Sequence, residues 1–225
     1  MKLKLNFSKN SKPILNPLNV EINGFINRVI GNNNKYHGKF SRYSVSSMQG
    51  GSMGKDGILD FPNGGYVFVS SDDDGFISKI IIGLSKNAKN LGVLDMKYEG
   101  MEIDDFIVNE KFDLVRTISP LILTDKERSL TFKDEGFIDA LTDKCIKKLI
   151  NCGYDKKLAN TIKISEFHPE KYKTKMVEIK GAKNICNKVM FVVHGDKKMR
   201  KALYELGLGK CTGFGFGAVA INNKK

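Results

Sequence analysis

Gly207-Leu208-Gly209-Lys210-Cys211-Thr212-Gly213-Phe214-Gly215-Phe216-Gly217 carries five glycines in eleven residues. It sits between a predicted helix and a predicted terminal strand. Upstream, Lys188 to His194 reads as a strand, and Asp196 offers an N-cap for a helix that ends near Leu206. Downstream, Ala218 to Ile221 reads as the closing strand. Working further back, Phe137, Ile138, Leu141, Cys145, Ile146, Leu149 and Cys152 recur on one stripe, which predicts a helix from Phe137 to Cys152. Strands are expected over Leu114 to Leu123, Ser129 to Phe132 and Lys175 to Lys180, with Gly181 punctuating the run to Lys188. A short helix is expected over Lys156 to Ile164.

The first half has the same rhythm. Lys2 to Phe7 alternates polar and apolar, as a strand does. Val20, Ile22, Phe25, Ile26, Val29 and Ile30 fall at helical spacing after Asn16-Pro17, and Gly31-Asn32-Asn33-Asn34 ends that helix. Tyr43 to Met48 reads as a strand. Ile58 to Phe61 and Tyr66 to Val69 read as a hairpin around Pro62-Asn63-Gly64-Gly65. Asp72-Asp73-Asp74 caps a helix over Phe76 to Leu84, and a strand lies between Gly92 and Ile107. The order is βαββαβ, ferredoxin-like and RRM-like. The expected class is α+β with two tandem ferredoxin-like domains, at residues 1–109 and 110–225.

Composition narrows the function classes. The chain has 225 residues, 41% hydrophobic and 28% charged, which supports packed cores and excludes disordered, collagen-like and coiled-coil chains. No run approaches the ~20 apolar residues of a membrane span, so no membrane partner is expected. Met1 to Phe7 lacks the apolar region of a signal peptide. Cysteines at 145, 152, 186 and 211 form no C-x-x-C pair, so the expected compartment is a reducing cytoplasm. Lysine plus arginine total 37 against 25 acidic residues, a net charge of +12. That excess suits a polyanionic partner, most often nucleic acid; the other reading is a solvated, lysine-rich surface.

The glycine cluster also has two readings. Residues without Cβ let another backbone approach their amides, and Lys210 adds a cation, which suits a phosphate backbone. Alternatively the segment is a tight helix-to-strand turn with Phe214 and Phe216 on the core. Gly50-Gly51-Ser52-Met53-Gly54-Lys55-Asp56 is one residue short of a P-loop and ends in Asp56 where Ser or Thr is required, so nucleotide binding is not expected. Lys55 is instead a candidate RNA contact. The lysine pairs at 147–148, 156–157 and 197–198 are candidate phosphate contacts.

Taken together, these blocks resemble the RAMP superfamily of CRISPR-associated proteins, and more narrowly the Cas-six family. The glycine loop is similar to the superfamily's glycine-rich signature. Ser119-Pro120-Leu121-Ile122-Leu123 with Phe132, Phe137, Ala140 and Leu141 resembles the family's mid-chain block. Phe191-Val192-Val193-His194-Gly195-Asp196 resembles its C-terminal block. Tyr36-His37-Gly38 followed by Tyr43-Ser44-Val45-Ser46-Ser47 resembles the N-terminal histidine and adjoining strand.

The resemblance implies a CRISPR repeat-specific endoribonuclease with two ferredoxin-like domains. Its reaction is metal-independent: a ribose 2′-hydroxyl attacks the adjacent phosphate, leaving a 2′,3′-cyclic phosphate and a 5′-hydroxyl. His37 falls where the family places its catalytic histidine, although some members lack one. A histidine titrates near ~6.5 and can serve as base or acid; without the resemblance, an exposed loop histidine with no role is the favoured reading of His37. Around it, Tyr36 and Tyr43 are candidate proton donors, and Lys39 and Arg42 candidate stabilisers of phosphate charge. Gly207, Gly209, Lys210, Gly213, Gly215 and Gly217 are the expected RNA contacts, joined by Ser44 and Lys55. No metal or cofactor is implied. Expected partners are the repeat RNA of precursor crRNA and subunits of an effector complex, with the protein a monomer or homodimer. The alternative is a non-catalytic RAMP-type subunit that holds RNA, and a further one is a ferredoxin-like metabolic or regulatory protein.

Overall fold

A computed structural model describes residues 1–31, 34, 36, 41–54, 56–104, 106–125, 128–179 and 181–222. The first half contains β1 (Lys2–Phe7), β2 (Ile14–Leu15), α1 (Asn19–Ile30), β3 (Tyr43–Val45), β4 (Ser52–Met53), β5 (Ile58–Asp60), β6 (Gly65–Ser71), α2 (Asp74–Asn87), β7 (Gly92–Val93) and β8 (Met96–Ile103). The second contains β9 (Phe112–Thr117), β10 (Leu123–Asp125), β11 (Arg128–Leu130), α3 (Phe137–Asn151), α4 (Lys156–Ala159), β12 (Lys163–Glu166), β13 (Lys173–Ile179), β14 (Ala182–Lys188), β15 (Met190–His194), α5 (Lys197–Leu206) and β16 (Val219–Ile221).

Each half builds one antiparallel sheet with the same strand permutation. The first sheet runs β3-β6-β1-β8, with β7 added beyond β8, and the second runs β12-β15-β9-β16. Counting the four main strands of each half in chain order, both sheets read second-third-first-fourth. Helices α1 and α2 cover one face of the first sheet, and α3 and α5 serve the second. The tandem ferredoxin-like class is therefore present.

Side-chain alternation explains the layers. Leu3, Leu5 and Phe7 of β1 and Val67 and Val69 of β6 point to the helices, where they meet Ile22, Phe25 and Ile26 of α1 and Phe76 and Ile80 of α2. Val115, Phe191 and Val193 meet Leu141, Cys145 and Leu149 of α3 and Leu203 of α5. At one end of the second core, Arg200 and Asp113, both fully buried, form an ion pair. Tyr204 Oη donates to the same Asp113 carboxylate at 2.9 Å, and Arg200 Nη2 donates to Asn109 O at 2.7 Å. The segment joining the halves is thereby tied to α5.

Three expectations about elements need correction. Ile58 to Phe61 and Tyr66 to Val69 do not pair with each other. β5 pairs with β2 and β4, while β6 lies between β1 and β3, because Val67 and Val69 are inner-face residues of a central strand. The expected helix over Lys156 to Ile164 stops at Ala159, and Lys163–Glu166 is the edge strand β12. The expected strand from Leu114 to Leu123 breaks after Thr117, where buried Ser119 accepts from Ser47 N at 2.8 Å across the two halves. Among the described residues, no helix is long and apolar enough to cross a membrane.

Asp113→Ala removes the counter-charge of a fully buried guanidinium. It is expected to cost about 3–5 kcal/mol in urea unfolding. Loss of the exposed Arg128–Asp134 pair should matter far less.

Candidate functional site

The two halves meet along a seam made largely by the glycine-rich segment, whose main chain lies against β3 and α1. A Cβ on Gly213 would stand 2.8 Å from Ser41 Oγ and from the Tyr43 ring, and one on Gly215 would stand 2.4 Å from Asn19 Nδ2. Side chains on α1 and the loop then lock the contact. Asn19 Nδ2 donates to Phe214 O at 2.8 Å, Asn23 Nδ2 to Gly213 O at 3.2 Å, and Thr212 Oγ1 to Tyr43 O at 3.0 Å.

This corrects the placement of most expected contact residues. Gly207, Gly213, Gly215 and Gly217 are buried in the seam, Gly209 is half-buried, and Lys210 with Cys211 forms the exposed tip. Ser44 is also buried, directly beneath Gly207, and its hydroxyl has no hydrogen-bond partner among the described residues. Phe216 is buried with Ile122, Val177 and Cys186, so the packing reading of that aromatic holds beside the close-approach reading of its glycines. Lys148 is buried rather than solvent-facing, whereas its neighbour Lys147 is exposed.

The segment expected to carry catalysis enters and leaves through anchored residues. Before it, Tyr36 Oη donates to Asp73 Oδ2 at 3.2 Å, and its ring stands edge-on to Phe76 at 5.1 Å. After it, Arg42 Nε and Nη2 each donate to one oxygen of Asp72 at 2.9 Å. The Asp72 carboxylate is only 3% exposed, whereas the Arg42 side chain is 42% exposed. Tyr154 Oη, from the second half, donates to the same Asp72 at 2.7 Å. Hydrogen bonding to Asp72 raises the Arg42 pKa, so the guanidinium stays charged. Burial, then the Asp72 hydrogen bond, raises the Tyr154 phenol. Tyr43 is buried, stacked on Phe76 at 4.3 Å, and burial raises its phenol while the Ser41 hydroxyl pulls it partly back. Tyr43 is therefore a packing residue of the first core, set against Gly213 of the loop, rather than an exposed phenol. His37, Lys39 and Lys55 lie outside the described residues.

On the opposite side of the seam, the helix-free faces of the two sheets border a cleft of about 650 Å³. Lys2, Tyr66 and Phe68 line it from the first half, and Arg116 and Lys188 from the second. Lys2 Nζ stands 3.9 Å over the Phe68 ring. A smaller cavity of about 230 Å³ lies between the halves near Gln49, with Lys175 and Lys188 among its lining residues. Burial, then Lys188, lowers the Lys175 pKa.

Sequence reading missed Asp72, Tyr154 and this aromatic face. A signal for each was present. One helix cap uses one carboxylate, and Asp73 supplies it by accepting from Gly75 N and Phe76 N, which leaves Asp72 free for another task. In Tyr66-Val67-Phe68-Val69 the valines take one face and the aromatics the other. Among the described residues, no three His, Cys, Asp or Glu side chains converge as metal ligands. The four cysteines are free thiols, His168 Nδ1 bonds Glu170 at 2.8 Å, and His194 is exposed beside Phe112.

Two ferredoxin-like units joined through a glycine-rich seam are the class of protein that this geometry defines. The family model described as "CRISPR associated protein Cas6, C-terminal" matches residues 102–221. The "CRISPR-associated endoribonuclease Cas6 1" of Methanocaldococcus jannaschii is 27% identical over 190 residues, covering 80% of this chain and 73% of the relative. A structure described as a Cas6-related gene from Pyrococcus furiosus superposes with a TM-score of 0.84 at 18% identity, covering 100% of this chain and 99% of the other. Another, described as "An RAMP protein binding different RNA substrates", has a TM-score of 0.82 at 18% identity over 99% of this chain and 100% of the other. The chain belongs to the Cas6 family of CRISPR-associated proteins.

The seam predicts unequal glycine substitutions. Gly217 has φ +62°, and a Cβ there would lie 1.8 Å from the Leu208 carbonyl oxygen, whereas a Cβ on Gly181 (φ +79°) meets nothing within 4 Å. Gly181→Ala should cost about 1–2 kcal/mol, the left-handed penalty alone. Gly217→Ala should lower the thermal midpoint much further, as measured by calorimetry.

Proposed function

We propose that this protein is an endoribonuclease that cuts precursor crRNA within its repeat, without a metal ion. A ribose 2′-hydroxyl attacks the neighbouring phosphate, giving a 2′,3′-cyclic phosphate and a 5′-hydroxyl product. His37 exchanges the proton as general base or acid. The observation that carries this reading is a permanently charged Arg42, in a Cas6 family member, next to a Tyr43 that packs on the glycine-rich loop, with His37 five residues earlier in the sequence.

Each described residue has a task in that reaction. Arg42 supplies the charge that a phosphorane needs; Nε and Nη2 are committed to Asp72, and Nη1 is the nitrogen left for a phosphate oxygen. The Asp72 carboxylate aims that fork, and Tyr154 steadies the carboxylate from the second half. Tyr36 and Tyr43 fix the two ends of the segment. Lys39 adds a second cation beside His37. Lys210 at the loop tip holds backbone phosphate, while the buried glycines allow the loop to reach it. The cleft with Tyr66 and Phe68 takes unpaired bases by stacking, and Lys188 and Arg116 take their phosphates. After cutting, the product stays bound and passes to an effector complex in the cytoplasm.

The likeness to the RNA-binding RAMP structure favours a second reading, a subunit that holds RNA without cutting. One experiment separates the two. With the repeat RNA of its own array, in EDTA, the wild type is expected to cut, and His37→Ala to cut about 10²–10⁴-fold more slowly with binding retained. Undiminished cutting by His37→Ala with binding unchanged would overturn the catalytic assignment, and tight binding with no cutting by the wild type would assign the second reading. With His37 as the neutral base, the single-turnover rate falls as pH drops below ~6.5; a flat profile contradicts that role. Gly213→Val should impair processing more than Lys147→Ala, since the former displaces Tyr43 and the latter removes one surface charge.

A further inference from the structure

Lys148 stands on α3 among core residues, next to Leu149 and one turn from Cys145, and is 7% exposed. An ammonium in such a place costs several kcal/mol unless hydrogen bonds replace water. Here they do. Nζ donates to Leu206 O at 2.8 Å, Gly207 O at 2.9 Å and Thr212 Oγ1 at 3.1 Å. The first two acceptors close α5, where helix carbonyls lack intrahelical partners and carry partial negative charge. The third lies five residues further along the glycine-rich loop. One cation thus fixes both the entry and the turn of that loop.

The Thr212 hydroxyl has one hydrogen, and it goes to Tyr43 O at 3.0 Å. Its oxygen accepts from Lys148. The polarity is therefore directed, from the ammonium through a hydroxyl to the main chain of β3 in the other half. Tyr43 follows Arg42, whose own carbonyl accepts from Ser71 Oγ at 2.7 Å. A methionine would fill the same volume on α3 with none of these donors.

We propose that Lys148 is a positioning residue for RNA cleavage: through Thr212 it sets the main chain of Tyr43, and with it the placement of Arg42, from the opposite half of the molecule. This rests on the cleavage reading above.

Titration gives a separate handle. Burial lowers the Lys148 pKa to about 8. The groups that pull it back up are Cys145 of α3, Cys152 at the end of that helix, Asp72 between β6 and α2, and Cys211 of the loop. A neutral amine has two hydrogens for three acceptors, so one contact is lost as the proton leaves. The linkage sign is opposite for stability. The folded pKa lies below the unfolded one, so between about 8 and ~10.4 the unfolded chain binds more protons and this group's contribution to stability rises. An alkaline loss of activity caused by Lys148 is therefore not accompanied by loss of stability through this group.

The test compares Lys148→Met, Thr212→Val and their double variant on the repeat RNA under single turnover. Each single variant is expected to cut about 10- to 100-fold more slowly, with the RNA Kd within about threefold of wild type. The double variant should be no slower than Lys148→Met. The wild-type rate should decline above pH about 8 with no fall in thermal midpoint caused by this group, and Lys148→Met should lack that step. Wild-type rates in both variants, additive losses, or a fall in RNA affinity parallel to the rate would overturn the positioning role. If Lys148→Met does not fold, Thr212→Val decides alone: an unchanged rate overturns the proposal. A wild type that binds but does not cut would sink the cleavage reading itself, a result distinct from variants that cut as well as it does.

Discussion

Where one main chain presses against another, side chains have no room, and the seam between these two sheets is built on that constraint. Gly207 lies on Ser44, Gly213 on Tyr43 and Gly215 on Asn19, each at a distance that no Cβ could tolerate without displacement. The seam therefore cannot slide by small amounts; it is closed or open. Everything of functional interest borders it. The helix-free faces border the larger cleft, and the Arg42–Asp72 pair is held to the second half through Tyr154. A loop that fixes two sheets also fixes the residues at their facing edges.

That architecture was legible to a limited depth. The βαββαβ rhythm was readable because Leu3, Leu5 and Phe7 alternate and because the α1 and α3 stripes recur at helical spacing; period depends on local geometry. Pairing does not. The strand at Tyr66 to Val69 looked like a hairpin partner for Ile58 to Phe61, and only its inner valines, seated between β1 and β3, show otherwise. β12 escaped notice because it has four residues with one buried, and Ile162 extends the spacing of the preceding turn. The glycine loop stands out in the sequence, but a glycine says only that something comes close. Here the something is chiefly the other half of the protein, with Lys210 left at the tip. Ser44 was misplaced for the same reason: a hydroxyl in a strand carries no mark of which face it occupies.

Charge shows the same gap between composition and placement. The +12 excess includes cations already spoken for. Lys2 pairs with Asp104 at 2.7 Å, and the fully buried Arg200 with Asp113. Lys175 and Lys188 instead repel each other near the smaller cavity, where burial already disfavours the Lys175 charge. Neither of these two charges is neutralised by the other, in contrast to Lys2 with its carboxylate.

Lys147 and Lys148 sharpen the point. They are adjacent, chemically identical and, in sequence, a single basic pair. An α-helix turns by about 100° per residue, so one faces solvent and the other the core. Each adds one unit to the net charge, but only Lys147 can meet a phosphate from solvent, since the Lys148 ammonium is hydrogen-bonded to the end of α5 and to Thr212. Removing Lys147 changes the field around the protein; removing Lys148 leaves two carbonyls and a hydroxyl oxygen without a donor inside it. Counting basic residues thus overstates the charge available to a polyanion and understates its use in organisation. A lysine closed off from solvent still ties the end of α5 to Thr212, and through it to the main chain of Tyr43 in the other half.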